Sequence, residues 1–193
     1  MFKRIVTLAS TTAILFVAAT CAHATTISYS AALNGGNENL ANASTATGNI
    51  FLSLTGDLLT VNLSYTGLTN PASAGHIHCC ASIGTNVTVA VPFSGLPHAT
   101  AGTYFNVIDL SLLASYGSNF VAANGGSSSS AEAAFIAGLN SGNAYANLHD
   151  SSYPGGEIRG QIALAPEPSS LVLLGTGLLT AIGAARRRQP ANA

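Results

Sequence analysis

Ile50-Phe51-Leu52-Ser53-Leu54-Thr55-Gly56-Asp57-Leu58-Leu59-Thr60-Val61-Asn62-Leu63-Ser64-Tyr65 holds two alternating runs on either side of a glycine–aspartate step. Ile50, Leu52 and Leu54 share one phase, and Leu59, Val61, Leu63 and Tyr65 share another. A period of two puts each set on one face of a strand, half buried, and Thr55-Gly56-Asp57 reads as the tight turn of a hairpin. The same pattern recurs outward along the chain: Ile27, Tyr29, Ala31 and Leu33; Val87, Val89, Val91 and Phe93; Tyr104 to Ile108; and Ile158, Gly160, Ile162 and Leu164. Many short strands separated by turns predict a mainly β fold, an antiparallel β-sandwich of the immunoglobulin-like or Greek-key type. One segment breaks the period. After Asn124-Gly125-Gly126 and a serine run, Ala131–Leu139 is rich in helix formers, with Ser129 and Glu132 spaced as a capping box, and a helical turn is expected within Leu110–Tyr116.

The ends of the chain have another composition. Lys3 and Arg4 precede an apolar run from Ile5 to Ala19 that closes on Ala22-His23-Ala24, the layout of a secretory signal peptide over residues 1–24. Cys21 is expected to leave with it. At the other end, Pro166-Glu167-Pro168 precedes an uncharged stretch, 169–185, and then Arg186-Arg187-Arg188. That stretch is expected to be a transmembrane helix with the arginines on the cytoplasmic side, which places the preceding domain outside.

Residues 25–164 are long enough for one domain with its own core. Arg159 is its only basic residue, against Glu38, Asp57, Asp109, Glu132, Asp150 and Glu157, for a net charge of −5. So acidic and lysine-free a surface offers no electrostatic footprint for nucleic acid. Cys79 and Cys80 are adjacent, and export permits a vicinal disulfide, intermolecular bonds or two free thiols.

His76-Ile77-His78 is the sharpest chemical pattern, because residues two apart on a strand project from one face. His149 ends the strand-like Ala144–Leu148 run, and His98 follows a proline-containing loop. If the strands of His76, His78 and His149 are neighbours, three imidazoles converge as ligands for Zn(II) or Cu(II), with Asp150 or a cysteine as the fourth. The alternative is that these rings hydrogen-bond loop backbone and hold one end of the fold together. No serine lies in a nucleophile-elbow pattern and the acids are unpaired, so no enzyme is expected. In Tyr153-Pro154-Gly155-Gly156-Glu157-Ile158-Arg159-Gly160-Gln161, Glu157 and Arg159 form a structural polar centre, with Arg159 expected to pair with a carboxylate.

Two resemblances rest on these residues. Leu33-Asn34-Gly35-Gly36-Asn37-Glu38, His76-Ile77-His78, Asn147-Leu148-His149 and Pro154-Gly155-Gly156-Glu157-Ile158-Arg159-Gly160-Gln161 resemble the CHRD domain, the module named for chordin. The resemblance implies a β-sandwich without established enzymatic activity, with His76, His78, His149 and Arg159 at its polar centre. Cys79-Cys80 stands where many members have a glycine–proline turn. Pro166-Glu167-Pro168, the apolar stretch and Arg186–Arg188 resemble the PEP-CTERM sorting signal. That resemblance implies an exosortase as processing partner, in a Gram-negative bacterium that secretes exopolysaccharide. Together they imply an exported, non-catalytic surface or extracellular-matrix module of a biofilm. The competing reading is a metal-binding exported protein, or a redox or hydrolytic metalloenzyme, built on His76, His78 and His149.

Overall fold

A computed structural model describes residues 25–165 and 170–187 of the chain. The expected signal peptide at 1–24, the Pro166–Pro168 motif and Arg188 lie outside the described residues. Among the described residues nine strands run in the order β1 (Thr26–Asn34), β2 (Thr47–Thr55), β3 (Leu58–Thr66), β4 (Ala74–Cys79), β5 (Val89–Pro92), β6 (Gly102–Asp109), β7 (Ala144–His149), β8 (Ile158–Gln161) and β9 (Ala163–Leu164). The helices are α1 (Ser118–Ala123), α2 (Ser128–Asn140) and α3 (Ser170–Arg187).

The opening hairpin is present as read. β2 and β3 pair from Thr47↔Thr66 to Thr55↔Leu58, leaving Gly56 and Asp57 as the turn. Gly56 has φ +56°, which a two-residue hairpin turn needs and glycine adopts without a Cβ penalty. The larger architecture differs from the expected sandwich: the strands form one continuous sheet, ordered β5-β4-β7-β8-β1-β2-β3-β6, with β9 added to β1. Every pairing is antiparallel. The sheet curls into a half-barrel, which brings side chains from its two edges into contact. Phe93, just past edge strand β5, packs on Tyr104 of edge strand β6 with ring centroids 5.2 Å apart, and Tyr65 Oη donates to the Pro97 carbonyl. Alternation announces one buried face per strand, but a single sheet curled around its own core satisfies it as well as two stacked sheets do.

Inside the curl lie Tyr29, Leu33, Ile50, Leu52, Leu59, Val61, Leu63, Ile77, Leu148, Ile158 and Ile162, all nearly inaccessible to solvent. α2 closes one opening with Ala131, Phe135 and Leu139, and Phe120 of α1 joins them. The capping box of α2 is Ser127/Ser130, two residues before the expected Ser129/Glu132, because the helix starts at Ser128. The expected turn near 110–116 is a single 3-10 turn, Leu113–Ser115.

α3 occupies the stretch expected to cross a membrane, and it is helical. Among the described residues, however, no helix is long and apolar enough to do so. Eighteen residues at 1.5 Å per residue fall just short of the roughly 30 Å hydrocarbon layer. Gly175, Thr176, Gly177, Thr180 and Gly183 dilute its leucines, and Arg186 and Arg187 lie within it.

Candidate functional site

β4, β7 and β8 are neighbours, and alternation divides their residues between two faces. Ile77, Cys79, Ala146, Leu148, Ile158 and Gly160 take the core side. His76 and His78, Tyr145, Asn147 and His149, and Arg159 and Gln161 take the other. Register makes rows of them: His76 faces Asn147, Asn147 faces Arg159, and Arg159 faces Asn34 across four strands. The next row is His78, Tyr145 and Gln161. The three histidines singled out in the sequence therefore meet, each offering a ligand atom within 4.8 Å of the others.

Their hydrogen bonds are unequal. His78 Nδ1 is 2.7 Å from the Val87 carbonyl and His149 Nδ1 is 3.0 Å from the Pro154 carbonyl. Both Nε2 atoms lie 3.1 Å from one atom, Asn147 Oδ1. His76 Nδ1 is buried and has no hydrogen-bond partner. Burial, joined by the neighbouring His149 and His78 rings, lowers the His76 pKa to about 4. Burial also lowers His78 and His149, against the upward pull of their carbonyl partners. The rings are therefore neutral at pH 7, with lone pairs available to a ligand.

Behind Asn147 sits Glu38. Its burial raises the carboxyl to about 7, and the Arg159 charge and the Asn147 amide offset only part of that rise. Glu38 Oε1 is buried without a hydrogen bond. Gly156, at φ +128°, leaves room for this pair, since a Cβ there would collide with Glu38 Oε1 and lie 2.8 Å from Asn147 Nδ2.

Arg159 is only 2 % exposed. The expected carboxylate partner is not what its guanidinium bonds: Nη1 donates to Asn86 Oδ1 at 2.9 Å and Nη2 to the Thr85 carbonyl at 3.0 Å. Its Cζ lies 3.3 Å from the centre of the Tyr145 ring, on which His78 also stacks at 4.7 Å. The loop between β4 and β5 folds over this face and supplies those acceptors, a long-range arrangement that sequence spacing does not encode. Glu157 is fully buried elsewhere, accepting from Ser44 Oγ, Thr69 N and Thr69 Oγ1.

The two expected fourth ligands are also committed elsewhere. Asp150 is buried, which pushes its carboxyl up, but the amides of Tyr153 and Asn70 outweigh that and hold it below the usual range. Cys79 and Cys80 are joined as a vicinal disulfide in the structure, one of the three options open from sequence, and Cys79 is on the core face. His98 stands apart, bonded to the Ala72 carbonyl.

A family model for the CHRD domain matches residues 29–162, and the match runs from β1 through β8. The chain belongs to the CHRD domain family. A model for the PEP-CTERM protein-sorting motif matches residues 164–189, directly behind the CHRD domain, and marks the chain as an exported protein processed by an exosortase. No curated protein matches the chain. Within the CHRD domain, sequence reasoning found the three histidines but passed over Asn147 and Glu38 as site residues. The signal for Asn147 was present: it lies two residues before His149 on a strand and so shares its face. No local signal placed Glu38, which reaches the site from the turn after β1.

Proposed function

We propose that the CHRD domain is a non-catalytic surface or matrix module, which an exosortase delivers beyond the inner membrane and which stays associated with exopolysaccharide in a biofilm. The observation that carries this reading is the adjacency of the two matches, domain to 162 and sorting motif from 164, which makes the domain the cargo of the signal. The polar face supports the non-catalytic part. Among the described residues no serine, threonine or cysteine is hydrogen-bonded to a histidine, and Glu157 and Asp150 are spent on holding loops. A hydroxyl or thiol with no histidine beside it lacks the base that nucleophilic catalysis needs.

The test is deletion of the host's exosortase, with cells fractionated into inner membrane, surface and medium. The unprocessed chain is expected to accumulate in the cell, and Pro166→Ala/Glu167→Ala/Pro168→Ala in the wild-type host is expected to do the same. Unchanged mass and location in the deletion strain would refute the sorting route. Treatment of wild-type cells with a polysaccharide-degrading enzyme is expected to release the processed domain, and its retention would refute the matrix association.

A further inference from the structure

The hydrogen-bond pattern around Asn147 is unfavourable as it stands. Carbonyls only accept, so Val87 and Pro154 fix the ring protons of His78 and His149 at Nδ1. A neutral ring then has a lone pair at Nε2, and both lone pairs face the same amide oxygen at 3.1 Å. Turning the amide would give both rings a donor, but would set its oxygen against the Glu38 carboxyl that Nδ2 now faces, a contact that only the protonated acid satisfies. Charging both rings would crowd two imidazolium ions around His76, whose ring centre lies 5.6 Å from that of His78 and 5.1 Å from that of His149.

A cation resolves all of this at once. Metal–nitrogen distances of 2.0–2.1 Å in a tetrahedral site place neighbouring ligand atoms about 3.3 Å apart, close to the 3.1 Å from each Nε2 to Asn147 Oδ1. We propose that His78 Nε2, His149 Nε2, Asn147 Oδ1 and a ring nitrogen of His76 form a binding site for one divalent transition metal, zinc or copper. Three imidazoles and one amide oxygen are a borderline donor set suited to either ion. The widest separation, 4.8 Å, closes to about 3.3 Å by rotation of side chains whose backbones are already paired. The outer shell is in place, because ligating histidines ordinarily donate their second N–H to a carbonyl or carboxylate, as both Nδ1 atoms do here. Glu38 plays the corresponding part for Asn147, orienting its oxygen toward the ion. His76 borders an open depression lined also by Ser73, Pro92, Phe93 and Ser94, which provides an entry path. This site does not depend on how the protein is sorted.

The experiment uses the full chain, purified without metal-affinity resin, stripped with chelator and loaded in turn with Zn(II), Cu(II) and Co(II). Wild type is expected to retain stoichiometric metal after gel filtration, and the Co(II) form to show the intense visible bands of a four-coordinate ion. His76→Ala is the informative ligand deletion, because its Nδ1 has no hydrogen bond to lose; stoichiometric retention is expected to fail while tyrosine fluorescence reports a folded domain. Glu38→Ala is expected to weaken binding by about 10–100-fold, the range for orienting partners, and Asn147→Ala, which removes a ligand atom, by at least as much. Folded wild type that retains none of the three metals overturns the proposal, as does binding unaffected by His76→Ala. Unchanged affinity in Asn147→Ala overturns the fourth ligand.

Discussion

Replacing Arg159 with lysine keeps the charge and removes the fork, so it isolates what the planar guanidinium contributes. In place, the guanidinium makes two hydrogen bonds, at 2.9 and 3.0 Å, and lies 3.3 Å from the centre of the Tyr145 ring while 2 % exposed. A charge-assisted hydrogen bond contributes about 1.5–3 kcal/mol, and a desolvated cation–π contact about 2 kcal/mol. Lysine reaches one acceptor but not both, and its ammonium cannot stack, so Arg159→Lys is expected to cost about 3 kcal/mol. At about 2–4 °C per kcal/mol for a domain this size, melting falls by roughly 10 °C. The assay is urea and thermal unfolding of the full chain followed by tyrosine fluorescence, since the chain has six tyrosines and no tryptophan. Asn86→Ala removes one acceptor, and in a double-mutant cycle it should couple to Arg159→Lys by about 1.5 kcal/mol. A loss below about 0.5 kcal/mol in Arg159→Lys, typical of an unconnected surface change, would refute the account of a buried fork tying the β4–β5 loop to the sheet.

Gly138→Ala should destabilise by about 1–3 kcal/mol in the same assay, because an added Cβ meets Cys79 Sγ and Cys80 Sγ; wild-type stability would show that α2 does not press on the disulfide. Gly156→Ala, at φ +128° and against Glu38 and Asn147, should cost about 1–3 kcal/mol and is checked by its melting midpoint. In metal-free protein, His76 is held near 4 and His78 and His149 are lowered too, so their neutral forms stabilise the fold above pH 6.5. That stability is lost as pH falls from 6.5 toward 4. Glu38, raised to about 7, acts oppositely, favouring the fold below pH 4.5 and losing that contribution as pH rises to 7. Glu38→Gln should therefore steepen the loss between pH 6.5 and 4.5, and an unchanged slope in denaturation midpoints would contradict the assignment.

How much of this was legible in the chain differs from element to element. β2 and β3 could be read residue by residue, because a period of two and a glycine turn are local properties. α2 was found, with its cap misplaced by two residues, since any serine in the run 127–130 satisfies the same local rule. The strand expected over Val87–Phe93 is shorter, Val89–Pro92, because its pairing with β4 shifts register between Ile77 and His78. α1 was missed: its six residues carry no side-chain cap, and it is held by packing on α2 and β5.

For the site, the sequence by itself determined that His76 and His78 share a face, that Arg159 is the domain's lone cation, and that a sorting motif follows the domain. Only the tertiary structure decided that β7 lies between β4 and β8, and this brings His149 and Asn147 to the histidine pair and Arg159 beneath the β4–β5 loop. It also decided that the strands form one curled sheet. The physical reason is that alternation fixes which way a side chain points along its own strand, whereas strand order depends on which distant segments bury each other's apolar faces best. That balance is struck across the whole core.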